Sequence, residues 1–307
     1  MIKTVTQAVV LLLLITGCGK KSNVIHPLLL VPGYGTTQQT WANSGLLNHF
    51  RLKGLAYGGE IRPDSLGLAV LDRQEIAGKE DIFVLVFPEN ANSVGELGTY
   101  LESAIDLINK RCRTDTVTLL AYSMGGVVAR EYLSEHFEKP AVHAVVFVGT
   151  PHRGSYLANV AFATSLIFSD EGEELYDKLC SGFGIDSSAN KLLLRDLVTS
   201  GQGTYLARLN ARPHPANVIY CPVVTYHEPG INSLITTFNE MIGIAIPKVE
   251  PKGDGVVSIE SQEIKDLPAF KAVPDNMLVE PYRLETTHTS VLSNFEDLFS
   301  VTSQFLN

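Results

Sequence analysis

Six apolar runs recur along the chain, and most are continuous rather than alternating. They begin at His26 (HPLLLVPG), Asp81 (DIFVLVFP), Thr116 (TVTLLAYS), Val142 (VHAVVFVGTP), Asn217 (NVIYCPVVTYH) and Asn276 (NMLVEPYRL). A strand with one wet face alternates apolar and polar residues, whereas a strand covered on both faces does not. The runs therefore predict the strands of a mostly parallel sheet. Between the second and third, VGELGTYLESAIDLINKRC sets Leu97, Leu101, Ile105 and Ile108 at helical spacing, and TSVLSNFEDLFSVTSQFLN closes the chain as a further helix. Strand–helix alternation of this kind predicts a doubly wound α/β sheet. Two segments, about 155–216 and about 228–252, break the alternation and read as cap insertions. Both start just past the C-terminal end of a strand, the edge where open α/β sheets bind ligands.

The first residues follow a different pattern. MIKTVTQAVVLLLLITGC has a lysine near its start and then an uncharged stretch from Thr4 to Gly17 ending in small residues. That is the layout of a secretory signal peptide, with an apolar centre too short for a spanning helix. Its end, ITGC, resembles a bacterial lipobox. The resemblance implies a signal peptide over 1–17, a diacylglycerol-bearing Cys18 as the first mature residue, and a short tether over 18–25. It also implies a lipid-anchored protein of the bacterial cell envelope, and Gly19, where an aspartate would mark inner-membrane retention, favours the outer membrane or the cell surface. The remaining residues, 26–307, are expected to form one domain. The formal charge of −9 over the whole chain argues against nucleic acid as a partner. Cys112, Cys180 and Cys221 remain after Cys18, and spacing alone assigns no pairing among them.

The stretch VTLLAYSMGGVVAREYL carries the chemistry. An apolar β-branched run stops at Tyr122, a serine follows, and a helical pattern starts at once. In a nucleophile elbow the serine occupies a strained strand-to-helix turn with its hydroxyl lifted above the sheet edge. Positions two before and two after must be small, and here they are Ala121 and Gly125. The helix starting at Met124 aims its first N–H groups at the site, where they stabilise developing negative charge.

HPLLLVPGYG, AYSMGG and VGTPHRGS together resemble the α/β-hydrolase superfamily, specifically bacterial lipases and related carboxylester hydrolases. The resemblance runs from His26 to Ser155 and, more weakly, from Gly253 to Leu292. It implies an α/β-hydrolase fold and a Ser–His–acid triad. The order Ser, then acid, then His leaves only His288 with room for an acid before it, and the resembled lipases carry their histidine there. The Gly-flanked Asp254 in KGDGVVSIESQ resembles the acid-bearing run of several lipases, with Asp266, Asp275 and Glu285 as alternatives. The oxyanion donors implied are the backbone N–H groups of Met124 and of Tyr34 in VPGYG. No cofactor is expected, and no metal: the histidines are scattered, and MIGIAIPK lacks the carboxylates of a calcium site.

SYLANVAFATSLIFS, from Ser155, carries no charge. It reads either as a buried helix behind the fourth strand or as a cap whose underside lines an acyl pocket, with Phe162 and Phe168 as candidate pocket residues. INSLITTFNEMIGIAIP could supply a second wall. The expected function is therefore a serine ester hydrolase acting on lipid or other acyl esters through an acyl-enzyme. The alternatives are an acyltransferase or lipid deacylase on the same triad, and a non-catalytic surface-binding lipoprotein.

Overall fold

The computed structural model describes residues 24–72, 80–165, 170–182, 187–188, 190–227 and 252–307. Among them, eight strands form one sheet in the order β3-β2-β4-β1-β5-β6-β7-β8. In chain order β1 is Leu28–Val31, followed by helices α1 (Gln38–Asn43) and α2 (Leu46–Leu52), strands β2 (Tyr57–Pro63) and β3 (Ala69–Asp72), and β4 (Ile82–Leu85). Then come α3 (Val94–Cys112), β5 (Val117–Tyr122), α4 (Met124–Glu135) and β6 (Val142–Val148). The segment between β6 and β7 (Ile219–Tyr226) holds α5 (Tyr156–Ser165), α6 (Asp170–Gly182), a 3-10 helix over Lys191–Leu197 and α7 (Tyr205–Ala211). Short α8 (Ile259–Gln262), β8 (Tyr282–Glu285) and α9 (Phe295–Thr302) complete the chain. Every pairing is parallel except β2 with β3.

The sheet is covered on both faces, which is why its central strands are apolar at every position. The Leu97–Leu101–Ile105–Ile108 stripe of α3 is buried with α4 against Leu29, Leu119 and Val145 on one face. On the other face Trp41, Phe50 and Leu298, from α1, α2 and α9, pack over Leu28, Leu120 and Val146. A third cluster joins Leu157, Val160 and Ala161 of α5 to Tyr176 and Cys180 of α6 and to Leu194.

Three features depart from the sequence pattern. Strands β2 and β3 have no counterpart among the six runs, because YGGEIRP has glycine at its second and third positions and carries Glu60 and Arg62. Gly58 is required there: a Cβ would stand 2.3 Å from the Phe83 ring. The last predicted strand shrinks to Tyr282–Glu285, with Leu278 reduced to an isolated bridge to Tyr220, because Pro281 interrupts it. The last predicted helix is divided by Asn294, whose φ of −82° and ψ of 49° are not helical. The apolar run from Ile231 to Pro247 lies outside the described residues. Cys112, Cys180 and Cys221 form no disulfide with one another.

Behind the sheet's C-terminal edge lies a buried cation with no carboxylate hydrogen-bonded to it among the described residues. Arg130 of α4 is fully buried. Its Nε donates to His214 Nε2 (3.1 Å), Nη2 donates to Asn210 Oδ1 (2.8 Å), and Nη1 faces His152 Nδ1 at 3.4 Å. Its guanidinium also stands over the Phe270 ring. Burial pulls this guanidinium down to about 9, so it is still cationic at neutral pH. With a cation donating to both imidazoles, each must be neutral. Burial first, and Arg130 second, hold His152 and His214 well below the usual histidine value. His152 then carries its proton on Nε2, which has no hydrogen-bond partner among the described residues, while its ring meets Phe147 edge-on at 4.8 Å.

The sign of the pH dependence follows. Histidines of the unfolded chain take up protons near pH 6.5 and these two do not, so stability falls as pH drops below that value. For two groups the slope reaches about 2.7 kcal/mol per pH unit. Urea unfolding between pH 7 and pH 5 should show this loss, and His152→Gln should cut the slope by up to about half. A flat profile in the parent protein would show that the two imidazoles accept protons in place.

Candidate active site

Ser123 terminates β5 and opens α4 with φ 52° and ψ −123°. A positive φ in a residue with a side chain is costly, on the order of 1–3 kcal/mol, and persists only where the surroundings over-determine it. Here they do. The Ser123 N–H donates to Val148 O on β6 (2.8 Å), and Ser123 O accepts from the Gly126 N–H (3.0 Å). A Cβ on Gly125 would stand 2.6 Å from the carbonyl oxygens of both Val31 and Pro32, and one on Gly126 would stand 2.0 Å from Thr150 Oγ1. The second glycine therefore exists for Thr150, a constraint that elbow geometry alone does not reveal.

The corner points Ser123 Oγ at His288, in the turn after β8, with Oγ 2.9 Å from Nε2. His288 Nδ1 lies 2.8 Å from Asp254 Oδ2, in the loop before α8. A carboxylate facing Nδ1 fixes the proton on that nitrogen, leaving Nε2 as the acceptor toward serine. Both partners are buried. The imidazole is also held by its backbone: His288 N–H donates to Asp254 O (2.8 Å), and Tyr122 Oη donates to His288 O (3.0 Å).

Asp254 is fastened from every side. Its Oδ1 accepts from the N–H groups of Val256 (3.0 Å) and Val257 (2.8 Å). Its Oδ2 accepts from Thr225 Oγ1 (2.5 Å) and, at 3.4 Å, from Gln262 Nε2. Gln262 in turn receives the Thr225 N–H and donates to Thr225 O. The sequence gives only a weak signal for these supporting residues: a lone threonine in the apolar run VVTYH, and a glutamine eight residues past the acid. The alternatives Asp266, Asp275 and Glu285 make no hydrogen bond to His288. Asp266 and Asp275 instead border a separate polar groove with Glu263, Lys265 and Arg283.

Tyr34 lines the cleft beside Ser123, and the loop carrying it runs so close that a Cβ on Gly33 would lie 3.0 Å from Ser123 Cβ. Met124 is the first residue of α4, so no helical carbonyl can accept its N–H. Tyr34 Oη is 2.7 Å from Tyr176 Oη, which ties the loop after β1 to the cap. The cleft encloses about 880 Å³, its open mouth included. Ser123, His288 and Tyr122 lie on one side, and Leu157, Ala158, Ala161, Cys180, Leu194 and Val256 supply an apolar surround. Phe162 is half-buried against the α5–α6 cluster rather than in the cleft lining. Phe168, like Cys18, lies outside the described residues. Among the described residues, no group of three His, Cys, Asp or Glu side chains is placed to hold a metal ion.

A model of the PGAP1-like alpha/beta domain matches residues 78–173, the part that carries the Ser123 corner and VGTPHRGS. Among solved structures, the chain is similar to mature lipase BlEst2 of Bacillus licheniformis, with a TM-score of 0.59, 17% identity, and 93% of this chain and 94% of that one covered. It is also similar to EstA of Clostridium botulinum, with a TM-score of 0.54, 16% identity, and coverage of 92% and 87%. A Listeria innocua protein, the lin2722 gene product, matches with a TM-score of 0.54, 12% identity, and coverage of 89% and 92%. No curated protein matches the sequence significantly. The fold is that of the α/β hydrolases, a mostly parallel sheet with flanking helices and, among the described residues, a helical insertion between β6 and β7.

If Asp254 orients His288, Asp254→Asn should leave the structure in place but lower kcat on an ester by roughly 10⁴, through the wrong imidazole tautomer. Thr225→Val, which removes one of several donors to Asp254, should cost far less, about tenfold. Steady-state kinetics on both variants check this, and a nearly silent Asp254→Asn would remove Asp254 from the site.

Proposed function

We propose that the protein is a serine ester hydrolase of the lipase or carboxylesterase type. The observation that carries this reading is the unbroken hydrogen-bonded chain from Ser123 through His288 to Asp254, at the wall of an apolar cleft. In the proposed cycle His288 Nε2 takes the Ser123 proton as Oγ attacks the ester carbonyl. The N–H groups of Tyr34 and Met124 hold the resulting oxyanion, each such donor being worth on the order of 10²–10³ in rate. Protonated His288 then gives its proton to the departing alkoxide, leaving an acyl group on Ser123. Water, deprotonated by the same nitrogen, releases the acid and restores the serine.

The cleft favours esters with an apolar acyl group. Its walls from α5, α6 and the Lys191–Leu197 helix are apolar: Leu157, Ala158, Ala161, Cys180, Leu194 and Leu197. The structurally similar BlEst2 of Bacillus licheniformis is a lipase, which supports that reading. The location proposed with it is the bacterial envelope, with the chain anchored through diacylglycerol on Cys18. Among the described residues no helix is long and apolar enough to cross a membrane.

A panel of p-nitrophenyl esters from acetate to palmitate tests the proposal. Ser123→Ala and His288→Ala should each lose on the order of 10⁶ in kcat while remaining folded. Ala161→Phe, which adds bulk to the cleft wall, should lower kcat/KM for long chains at least tenfold relative to acetate. Turnover of every ester by Ser123→Ala at the parent rate would refute the assignment, and equal losses on short and long chains would move the acyl group out of this cleft.

A further inference from the structure

Strand direction fixes where the chain enters the domain relative to the cleft. All strands but β3 run parallel, so the sheet has one edge of strand beginnings and one of strand ends. Ser123 stands at the edge of strand ends. Ile25 stands at the other, and it is held there: its N–H and that of His26 donate to Leu306 O, and its carbonyl accepts from Thr114 Oγ1. Next to it, His26 Nδ1 is 2.8 Å from Thr116 Oγ1, and its ring stacks at 3.9 Å on His143 at the start of β6.

From Thr116 to Ser123 there are seven steps of extended chain, about 23 Å. The α5–α6 cap adds a helix layer of roughly 10 Å beyond Ser123. The mouth of the cleft is therefore about 33 Å from the point where the chain enters the domain. Val24 is buried and Ile25 is held by hydrogen bonds, so the sequence provides five residues, Gly19 to Asn23, between Cys18 and the start of the fold. Fully extended they reach roughly 18 Å. To lay the mouth on the anchoring bilayer, that segment would have to pass around the domain and span more than its own length.

We infer that the cleft is turned away from the membrane that anchors the protein, and takes its acyl ester from the facing compartment, dissolved or carried on a second lipid surface. This rests on the ester-hydrolase reading and on diacylglycerol at Cys18. Leu66 and Leu68, in the turn after β2, are large exposed apolar side chains at the strand-end edge of the sheet, and Tyr156 at the start of α5 and Leu192 are exposed on the insertion that follows β6. They suit contact with such a facing surface.

The experiment uses the full-length lipidated protein in phosphatidylcholine vesicles immobilised far apart. A self-quenched fluorogenic phosphatidylcholine is placed either in the same vesicles or in free vesicles added afterwards, and p-nitrophenyl butyrate is the dissolved ester. A variant with about 20 Gly/Ser residues inserted between Ser22 and Asn23 frees the orientation. The parent should hydrolyse dissolved ester, with or without the added vesicles' lipid, and leave lipid in its own vesicle at least tenfold slower than the extended variant does. Equal same-vesicle rates for parent and extended variant would overturn the inference, as would no same-vesicle hydrolysis by either one. Failure on every ester would overturn the hydrolase reading itself. An N-terminal mass lacking diacylglycerol on Cys18, with hydrolysis intact, would overturn the anchor and the orientation alone.

Discussion

The positive φ at Ser123 is the constraint on which the rest of the structure depends. A serine does not adopt it alone; β5 and α4 force it between them, and their approach is possible only because Gly125 and Gly126 have no side chains. Gly125 lets the end of β1 pass beneath the helix, and Gly126 makes room for Thr150. The strain brings Ser123 Oγ out of the sheet plane and into line with His288 Nε2. Residues at 31, 123, 148, 150 and 288 thus meet at one point although the sequence scatters them.

The rigidity of that point comes from two buried polar networks of opposite character. Around Asp254 a carboxylate is surrounded by donors from Thr225, Gln262, Val256, Val257 and His288. Around Arg130 a cation is surrounded by acceptors from His214, Asn210 and, more loosely, His152. The first holds the imidazole that faces the serine. The second ties the serine's own helix to α7 and to the loop after β6, since Asn210 Nδ2 also donates to His152 O. A buried charge left without partners costs several kcal/mol, so each network resists the loss of a member.

Much of this was legible in the sequence, for identifiable reasons. Central strands buried on both faces write themselves as unbroken apolar runs, and α3 writes its stripe at helical spacing. Ser123 and Gly125 are legible because the elbow dictates their size, and Asp254 and His288 because chain order and motif resemblance place them where the structure joins them. The edge hairpin β2–β3 was illegible, since short edge strands need neither continuous apolarity nor regular alternation. The cleft wall was only half legible: α5 was expected to be apolar, but which of its residues face Ser123 depends on its rotation, and that put Leu157, Ala158 and Ala161 there rather than Phe162. Thr225, Gln262 and the Tyr34–Tyr176 contact arise from distant segments meeting, and no local pattern encodes them.

The central claim is that Ser123 is the nucleophile, made so by His288. It is tested most directly by mass spectrometry of the protein after brief exposure to a fluorophosphonate. The account predicts one adduct, on the peptide spanning the Ser123 corner, with its formation slowed by orders of magnitude in His288→Ala. An adduct on any other residue, or labelling of Ser123 at the same rate without His288, would contradict it.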